Sequence, residues 1–417
     1  MKRFILDTFL CTAFIFGLMG LFASVTYFKV FELFDPIGDM FADFELTDIV
    51  FSQLQDDPTA DERIVIVNLG VLPREGIARQ IEILNRYNPR VIGLDARLLA
   101  QKSWEEDSAL TRVISESPSL VLAEDLQFDL ETGEPIAPLI PPEHIRQSHP
   151  LGFVDLPTDA ESQEDLKMCR SFITREEVYG TMHYAFSVQL AMAYDSVKTM
   201  QFLERGNREE IINYKGNVFS FVSSQYGMKY FVLDVEDVFN ESFTPDLLEG
   251  RIVLMCHLGA YLGDLNTNED RYFTPLNKNY VGKAEHDMFG GVVHANIISM
   301  ILDEDYIDEM PERWGIVLAI LMCLINVFLF KIVYAAMPRW YDGITKLFQL
   351  FELAFFSFLM IWIFYYFNYK ADFTLALIVI ALSGDSIEVY HGVVKNLFSR
   401  EKRGQVFKVN RKFWKVD

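Results

Sequence analysis

The chain has 417 residues, 51% of them hydrophobic and 36 of them Phe, with a mean hydropathy of +0.14, which is too apolar for an ordinary soluble protein, while its 23% charged residues exclude a purely membranous one. The formal charge of −22 is unevenly spread: 1–35 holds 3 basic and 3 acidic residues, 312–417 holds 13 and 8, and 36–311 holds 21 and 48. A segment as acidic as 36–311 does not draw in nucleic acid through its own field, so nucleic acid is excluded as a partner.

The first element is apolar. Residues 8–31 (TFLCTAFIFGLMGLFASVTYFKVF), preceded by Lys2 and Arg3, exceed the roughly 20 residues needed to cross about 30 Å of hydrocarbon. A cleaved leader is the competing reading, since leaders also begin with basic residues, but no small-x-small cleavage site follows. Next come 63–70 (RIVIVNLG), an apolar β-branched run ending in glycine; 74–87 (REGIARQIEILNRY), with apolar residues at helical spacing; and 90–95 (RVIGLD), a second apolar run. Together they spell a βαβ unit. Helical residues at 105–116 and the run 120–123 repeat the pattern, the spacing predicts a helix over 182–194, and 218–222 and 230–233 read as strands. Residues 251–257 (RIVLMCH) form another strand, and 290–302 (GGVVHANIISMIL) a helix leading to the membrane. Uninterrupted apolar strands are buried on both faces. The fold class expected is therefore α/β, a mostly parallel sheet covered by helices, inserted between one N-terminal and three C-terminal transmembrane helices. Its core is expected in 63–69, 90–95, 119–123 and 251–257.

Three further spans follow at 314–335, 347–367 and 373–394. The first link carries Arg339 and Lys346, and the tail after 394 carries eight basic residues, among them Lys395, Arg403 and Lys415, against Glu401 and Asp417. Basic residues flank cytoplasmic ends, which puts both termini and the 336–346 link in the cytoplasm and 36–311 outside. In a bacterium this is a multi-pass inner-membrane protein with a periplasmic domain. The expected organisation is a cytoplasmic stub and transmembrane helix at 1–35, the periplasmic domain at 36–311, a three-helix bundle at 312–394 and a basic cytoplasmic tail at 395–417. The last span is short of apolar residues, running from 373–382 into Ser383, Gly384, Asp385, Ser386, Ile387 and Glu388. Carboxylates at membrane depth are costly. Either the helix emerges here into the headgroups near Lys395, or the acids meet a bundle neighbour or a partner. The other spans offer only Glu352, too little for a proton pathway, so transport is not expected.

No nucleophile elbow, glycine-rich phosphate loop or HExxH occurs, so neither an enzyme nor a cofactor is expected. Asp95 stands at the end of a parallel strand, where open α/β sheets bind ligands, and Asn68 ends a neighbouring one. Alternatively Asp95 caps a turn and Arg97 pairs with it. Asp264, Asn266 and Asn268 open like a calcium loop, but Glu269 and Pro275 occupy the positions that need glycine and an acid, so a solvated turn is expected. Nothing in the spacing of His257, His286 and His294 demands zinc, and His294 beside Asn296 is suited to satisfying backbone groups. Asn68, Asp95, Arg97, Asp264 and His294 are the ligand-binding candidates. Cys11 and Cys323 lie in apolar segments. Cys169 and Cys256 could pair in an oxidising compartment, against the alternative of a buried free thiol at Cys256. The tail (KNLFSREKRGQVFKVNRKFWK) interleaves basic and aromatic residues, which suits anionic lipid or a docked partner. Asp385, Glu388, Phe407, Phe413 and Trp414 are the partner-contact candidates.

The strand IVIVNLG, the run VIGLDARL at 91–98, the phrase GRIVLMCHLGAYLGD at 250–264 followed by Phe273-Thr274-Pro275, and HANIISMIL at 294–302 together resemble the type-2 CHASE domain, the extracellular sensory domain associated with bacterial cyclases and histidine kinases. The resemblance covers about 40–311, and in that family too one span precedes the domain and three follow it. It implies a sensory role. Familiar members carry a cyclase or kinase after the third span, whereas this sequence stops about 23 residues beyond it, so a separately encoded cytoplasmic or membrane output protein is expected as partner, alongside membrane lipid and homo- or hetero-oligomer formation. The leading expectation is a sensor or signal-transducing subunit whose domain binds a ligand or protein. The alternative is a non-signalling scaffold subunit of an envelope complex.

Overall fold

A computed structural model describes residues 2–26, 45–55, 58–129, 135–158, 168–220, 225–226, 229–264, 269–277 and 286–394. The chain separates into two compact units, Asp43–Ile307 and Met1–Ala42 with Asp308–Asp417. The helices used below are α1 (Lys2–Thr26), α2 (Arg74–Asn85), α3 (Trp104–Glu116), α4 (Glu143–Arg146), α5 (Phe186–Tyr194), α6 (Ser196–Glu204), α7 (Val235–Phe239), α8 (Gly290–Asp303), α9 (Glu312–Ala336), α10 (Tyr341–Phe367) and α11 (Thr374–Val389). The strands are β1 (Asp61–Asn68), β2 (Val91–Leu94), β3 (Leu120–Phe128), β4 (Pro135–Leu139), β5 (Leu151–Phe153), β6 (Thr181–Tyr184), β7 (Tyr230–Leu233) and β8 (Ile252–Cys256).

A 7-stranded sheet organises the larger unit in the order β7-β1-β8-β2-β3-β4, with β5 also on β3. All its pairings are parallel except β3 with β4. The strands expected at 63–69, 90–95, 119–123 and 251–257 are its centre. Val65, Ile92 and Val253 are fully buried there, each contributing about 1.5–3 kcal/mol by leaving water. On one face, Ile77, Ile81 and Leu84 of α2, Leu110 and Val113 of α3 and Val238 of α7 join the core. On the other, α5 and α8 pack against the sheet and each other, so helices cover both faces as a parallel sheet requires.

The polar residues of α8 explain the phrase HANIIS. The Asn296 amide accepts from the Lys215 and Gly216 backbone at 2.9 and 3.3 Å and donates to the Gly216 carbonyl at 2.9 Å, while Ser299 Oγ donates to Asp61 at 2.6 Å. Buried polar groups must find partners, and these fix α8 in register with the start of β1.

One expected element differs. The helix predicted over 182–194 begins only at Phe186, because Thr181–Tyr184 pairs antiparallel with Arg175–Val178 across Tyr179 and Gly180, whose φ values of 51° and 76° form the two-residue turn that suits hairpin twist. The helix α6 after Asp195 was not expected. Its start is set by the Asp195 carboxylate, which accepts from the Val197 and Lys198 backbone at 3.1 Å.

In the other unit, Glu312–Ala336, Tyr341–Phe367 and Thr374–Gly392 are long and apolar enough to cross a membrane. Within α1 the stretch so identified, Phe4–Gly20, is shorter than a span, and the rest of the span expected at 8–31 runs into residues outside those described. Polar ties link the helices, which matters in lipid, where apolar burial gives no preference for helix–helix contact. Asn326 donates to Glu352 at 2.9 Å, and Gln349 to the Ile380 and Ala381 carbonyls at 2.6 and 3.0 Å. Glu352 is buried within the bundle. At one end Lys331 pairs with Asp7 at 2.7 Å, Tyr390 donates to Asp7 at 3.2 Å, and Lys346 meets both oxygens of Asp385. At the other, Asp308 and Met310 donate to the Asn368 and Lys370 carbonyls at 3.0 and 2.9 Å.

Candidate functional site

Parallel strands end at a common edge, and the register sets which residues meet there: Asn68 pairs with Cys256, Met255 with Leu94, and Leu94 with Leu122. Asp95 therefore leaves β2 level with Cys256, and Asp125 stands on the longer β3 just beyond. The amino end of α8 closes against this edge. A Cβ on Gly291 would lie 2.2 Å from Cys256 Sγ and 3.9 Å from Asp95 Oδ2, and one on Gly290 would lie 2.7 Å from Asp270 Oδ1. Only glycines let the helix start approach this closely, and the amino end of a helix favours negative charge beside it.

The result is a recess with the carboxylates of Asp95, Asp125, Asp155 and Asp270 around one guanidinium, Arg97, whose Nε lies 3.1 Å from Asp125 Oδ1. Loss of water contact pushes Asp95 up to about 7, with Arg97 opposing and Asp125 adding to the rise. Asp155 is pushed up to about 6 by burial against the hydrogen bond it accepts from the Leu126 backbone at 2.7 Å. Asp125 is raised by burial, opposed by Arg97. Asp270 is raised by surrounding protein and by Asp95, although one side of it stays open to solvent, which tempers the first cause. Asp95 and Asp155, raised in this way, exchange protons close to neutral pH.

The ligand-binding candidates are only partly brought together. Asp95 and Arg97 both stand in the recess, but the ion pair of Arg97 is with Asp125, not with Asp95 as the turn-capping alternative has it. The reason is register: β3 runs past β2, so its carboxylate reaches Arg97. Asn68 is fully buried and its amide is consumed by structure, donating to Asp234 at 2.9 Å and the Gly259 carbonyl at 3.2 Å and accepting from Gly70 and Leu258, each at 2.9 Å. Asp264 lies in a turn, its carboxylate 3.4 Å from the Ala260 backbone nitrogen. Asn266 and Asn268 lie outside the described residues. His294 is buried in α8, edge-on to Phe186, with its pKa pushed down to about 4 by burial.

The other two histidines face separate partners: His257 Nδ1 lies 3.2 Å from the Gly70 carbonyl, and the ring of His286 stands 4.3 Å from that of Phe273. Among the described residues no cluster of three or more His, Cys, Asp or Glu is placed to hold a metal ion. Cys11, Cys169, Cys256 and Cys323 are buried thiols, and Cys169 and Cys256 are not bridged. Asp385 and Glu388 are exposed on α11. Phe407, Phe413 and Trp414, with the rest of the tail, lie outside the described residues.

Sequence reasoning missed Asp125, Asp155 and Asp270. Asp125 had a partial signal, for it follows the apolar run 120–123 one residue beyond Glu124, as Asp95 follows 91–94. The phrase Phe273-Thr274-Pro275 proves structural, since Thr274 donates to Asp287 at 2.5 Å and its backbone N–H does so at 2.8 Å.

No curated protein and no solved structure matches the chain. The family model described as the CHASE2 domain matches residues 33–329, which is more than half of the chain. The chain belongs to the CHASE2 family of sensory domains.

Proposed function

We propose that this protein is a membrane sensor or signal-transducing subunit: its α/β domain reads a ligand or protein outside the cytoplasm, and the helices pass the change to a separate output protein. The observation that carries this is the match of a sensory-domain family over 33–329 running directly into the apolar helices that follow. The orientation is supported by the bundle. Phe4, Asp7, Phe328, Lys331, Lys346, Asp385 and Tyr390 gather at one end, which is also the end bearing Lys2, Arg3 and Arg339, whereas the chain enters α9 from the other end at Asp308. A basic end faces the cytoplasm. On this reading α1 spans the membrane, both termini are cytoplasmic, and in a bacterium the domain is periplasmic on the inner membrane. Exposed Asp385 and Glu388 and the aromatic-basic tail, with Phe413 and Trp414, form the surface offered to the partner. The Asp95 recess is where a ligand would alter the domain.

Capture from native membranes, with mass spectrometry, tests this. The wild type should recover a signalling output protein in stoichiometric amount. Asp385→Asn with Glu388→Gln, and a scrambled tail of identical composition, should lose it. Equal recovery of the same proteins by all three defeats partner docking, and recovery of envelope structural proteins alone favours the scaffold.

A further inference from the structure

A second space in the domain is an open pocket of about 310 Å³ lined from β3, β4, β5, β6, α4 and α5. That is the small end of the range for small-molecule sites. Ile140, Leu151 and Met182 give it apolar walls. Its polar lining comes from four elements: Glu124 on β3, Arg146 on α4, His183 on β6 and Gln189 on α5, whose amide nitrogen donates to the Leu151 carbonyl at 3.1 Å.

The state of those groups limits what fits. Glu124 is 2% exposed, and its Oε1 lies 2.9 Å from His183 Nδ1. A carboxylate in the cavity favours the imidazolium form of His183, in which Nδ1–H donates to Glu124 and Nε2–H to the ligand; the Glu124–His183 pair then carries no net charge and the net charge of the cavity is that of Arg146. Glu124 Oε2 is buried without a hydrogen-bond partner. His183 Nε2, by contrast, is neither sealed nor engaged by any described residue, and Glu124 holding Nδ1 orients the ring. Half-buried Arg146 has no carboxylate partner among the described residues. A planar guanidinium matches a carboxylate with two parallel bonds. Two convergent cationic or donor groups over apolar walls therefore select an anion with a hydrocarbon body, and the volume limits it to a small one.

We propose that this cavity binds a small monocarboxylate with a compact apolar body, its carboxylate held by Arg146 and His183 and its hydrocarbon part against Ile140, Leu151 and Met182. This deepens the sensory reading by giving the ligand a chemical class, and it rests on that reading only for the consequence of binding. Binding is measured without any partner, so its failure leaves the sensory reading standing, and failure of the partner capture leaves the cavity standing.

The test is ¹⁹F NMR titration of 4-fluorobenzoate against the full chain in lipid nanodiscs, with 4-fluorobenzylamine as the charge-inverted probe. The wild type should bind the benzoate saturably and the amine at least tenfold more weakly. Arg146→Gln should weaken benzoate binding at least tenfold, and so should Met182→Trp, which fills the space while leaving every charge in place. Arg112→Gln, on the outer face of α3, should change nothing. Absence of saturable benzoate binding, equal binding by Arg146→Gln and Met182→Trp, or preference for the amine would each overturn the proposal.

Discussion

Gly291→Ala tests how the Asp95 recess is built. Exposed in a free helix, the change would help, since glycine costs roughly 0.5–1 kcal/mol against alanine in a helix. Here the new methyl carbon would lie 2.2 Å from Cys256 Sγ and 2.4 Å from Cys256 Cβ. Restoring ordinary contact needs a shift of roughly 1 Å between the start of α8 and the end of β8, inside a core where extra methyl groups cost about 1–3 kcal/mol. Steric overlap should therefore win, leaving the domain about 1–2 kcal/mol less stable and lowering its melting temperature by roughly 2–6 °C. Thermal unfolding of the full chain in nanodiscs, followed by intrinsic fluorescence, reads this. The second site provides an internal control. Cys256→Ala leaves Cβ in the way and should rescue Gly291→Ala incompletely, whereas Cys256→Gly should couple to it more strongly. A Gly291→Ala protein that melts at or above the wild type would show that the helix start is not pressed against β8, and the recess geometry would fall with it.

Three more outcomes follow from buried charge. Asp at Val65, Ile92 or Val253, all fully buried, should abolish folding, since an unpaired buried charge costs several kcal/mol; protease-resistant expression of all three variants would mean these strands are not core. Asp95 at about 7 and Asp155 at about 6 lie above the 3.8 of the unfolded chain, so their contribution to stability grows as pH falls from 8 to 5, against the buried His294 at about 4, whose contribution shrinks below its unfolded 6.5. A raised carboxyl contributes stability that is complete below the unfolded value and lost as pH rises through the folded one. Asp95→Asn should remove roughly 1 kcal/mol of that pH dependence, after allowance for partial solvent contact; a melting profile that keeps its slope in the variant would contradict the assignment. In the bundle, Asp7→Asn and Lys331→Gln should be non-additive by about 1 kcal/mol in a double-mutant cycle of detergent unfolding, and additivity would mean that the 2.7 Å pair does not tie α1 to α9.

How far the sequence led depended on the range of the forces involved. Apolar runs such as IVIVN and IVLMC are strands buried on both faces, and no other element suits five such residues between turn signals, so β1, β2, β3 and β8 were legible. The order in which they pair was not, because β8 enters between β1 and β2 from more than 150 residues away, and local pattern carries no record of that. The hairpin at Tyr179 and Gly180 was obscured because Met182, Ala185, Phe186 and Gln189 also fit a helical spacing. At the site, strand ends pointed to Asp95. Asp155 and Asp270 come from loops brought in by the tertiary fold, and Arg97 selects Asp125 over Asp95 through a stagger of strand lengths that only the sheet register defines. In the membrane part, hydropathy found the helices, but Asn326, Gln349 and Lys331 were passed over because single polar residues barely alter a window average, although they tie the bundle together.

The central claim is that the sensory domain and the basic end of the bundle lie on opposite sides of a membrane. It is tested most directly by a membrane-impermeant maleimide on intact cells, because the four native cysteines are buried and give little background. Tyr179→Cys places a thiol at a position 82% exposed in the domain, and Trp340→Cys at one 71% exposed between α9 and α10. The account predicts labelling of Tyr179→Cys as soon as the reagent reaches the outer face of the inner membrane, and of Trp340→Cys only after that membrane is permeabilised. Labelling of both from outside, or of Trp340→Cys alone, would contradict it.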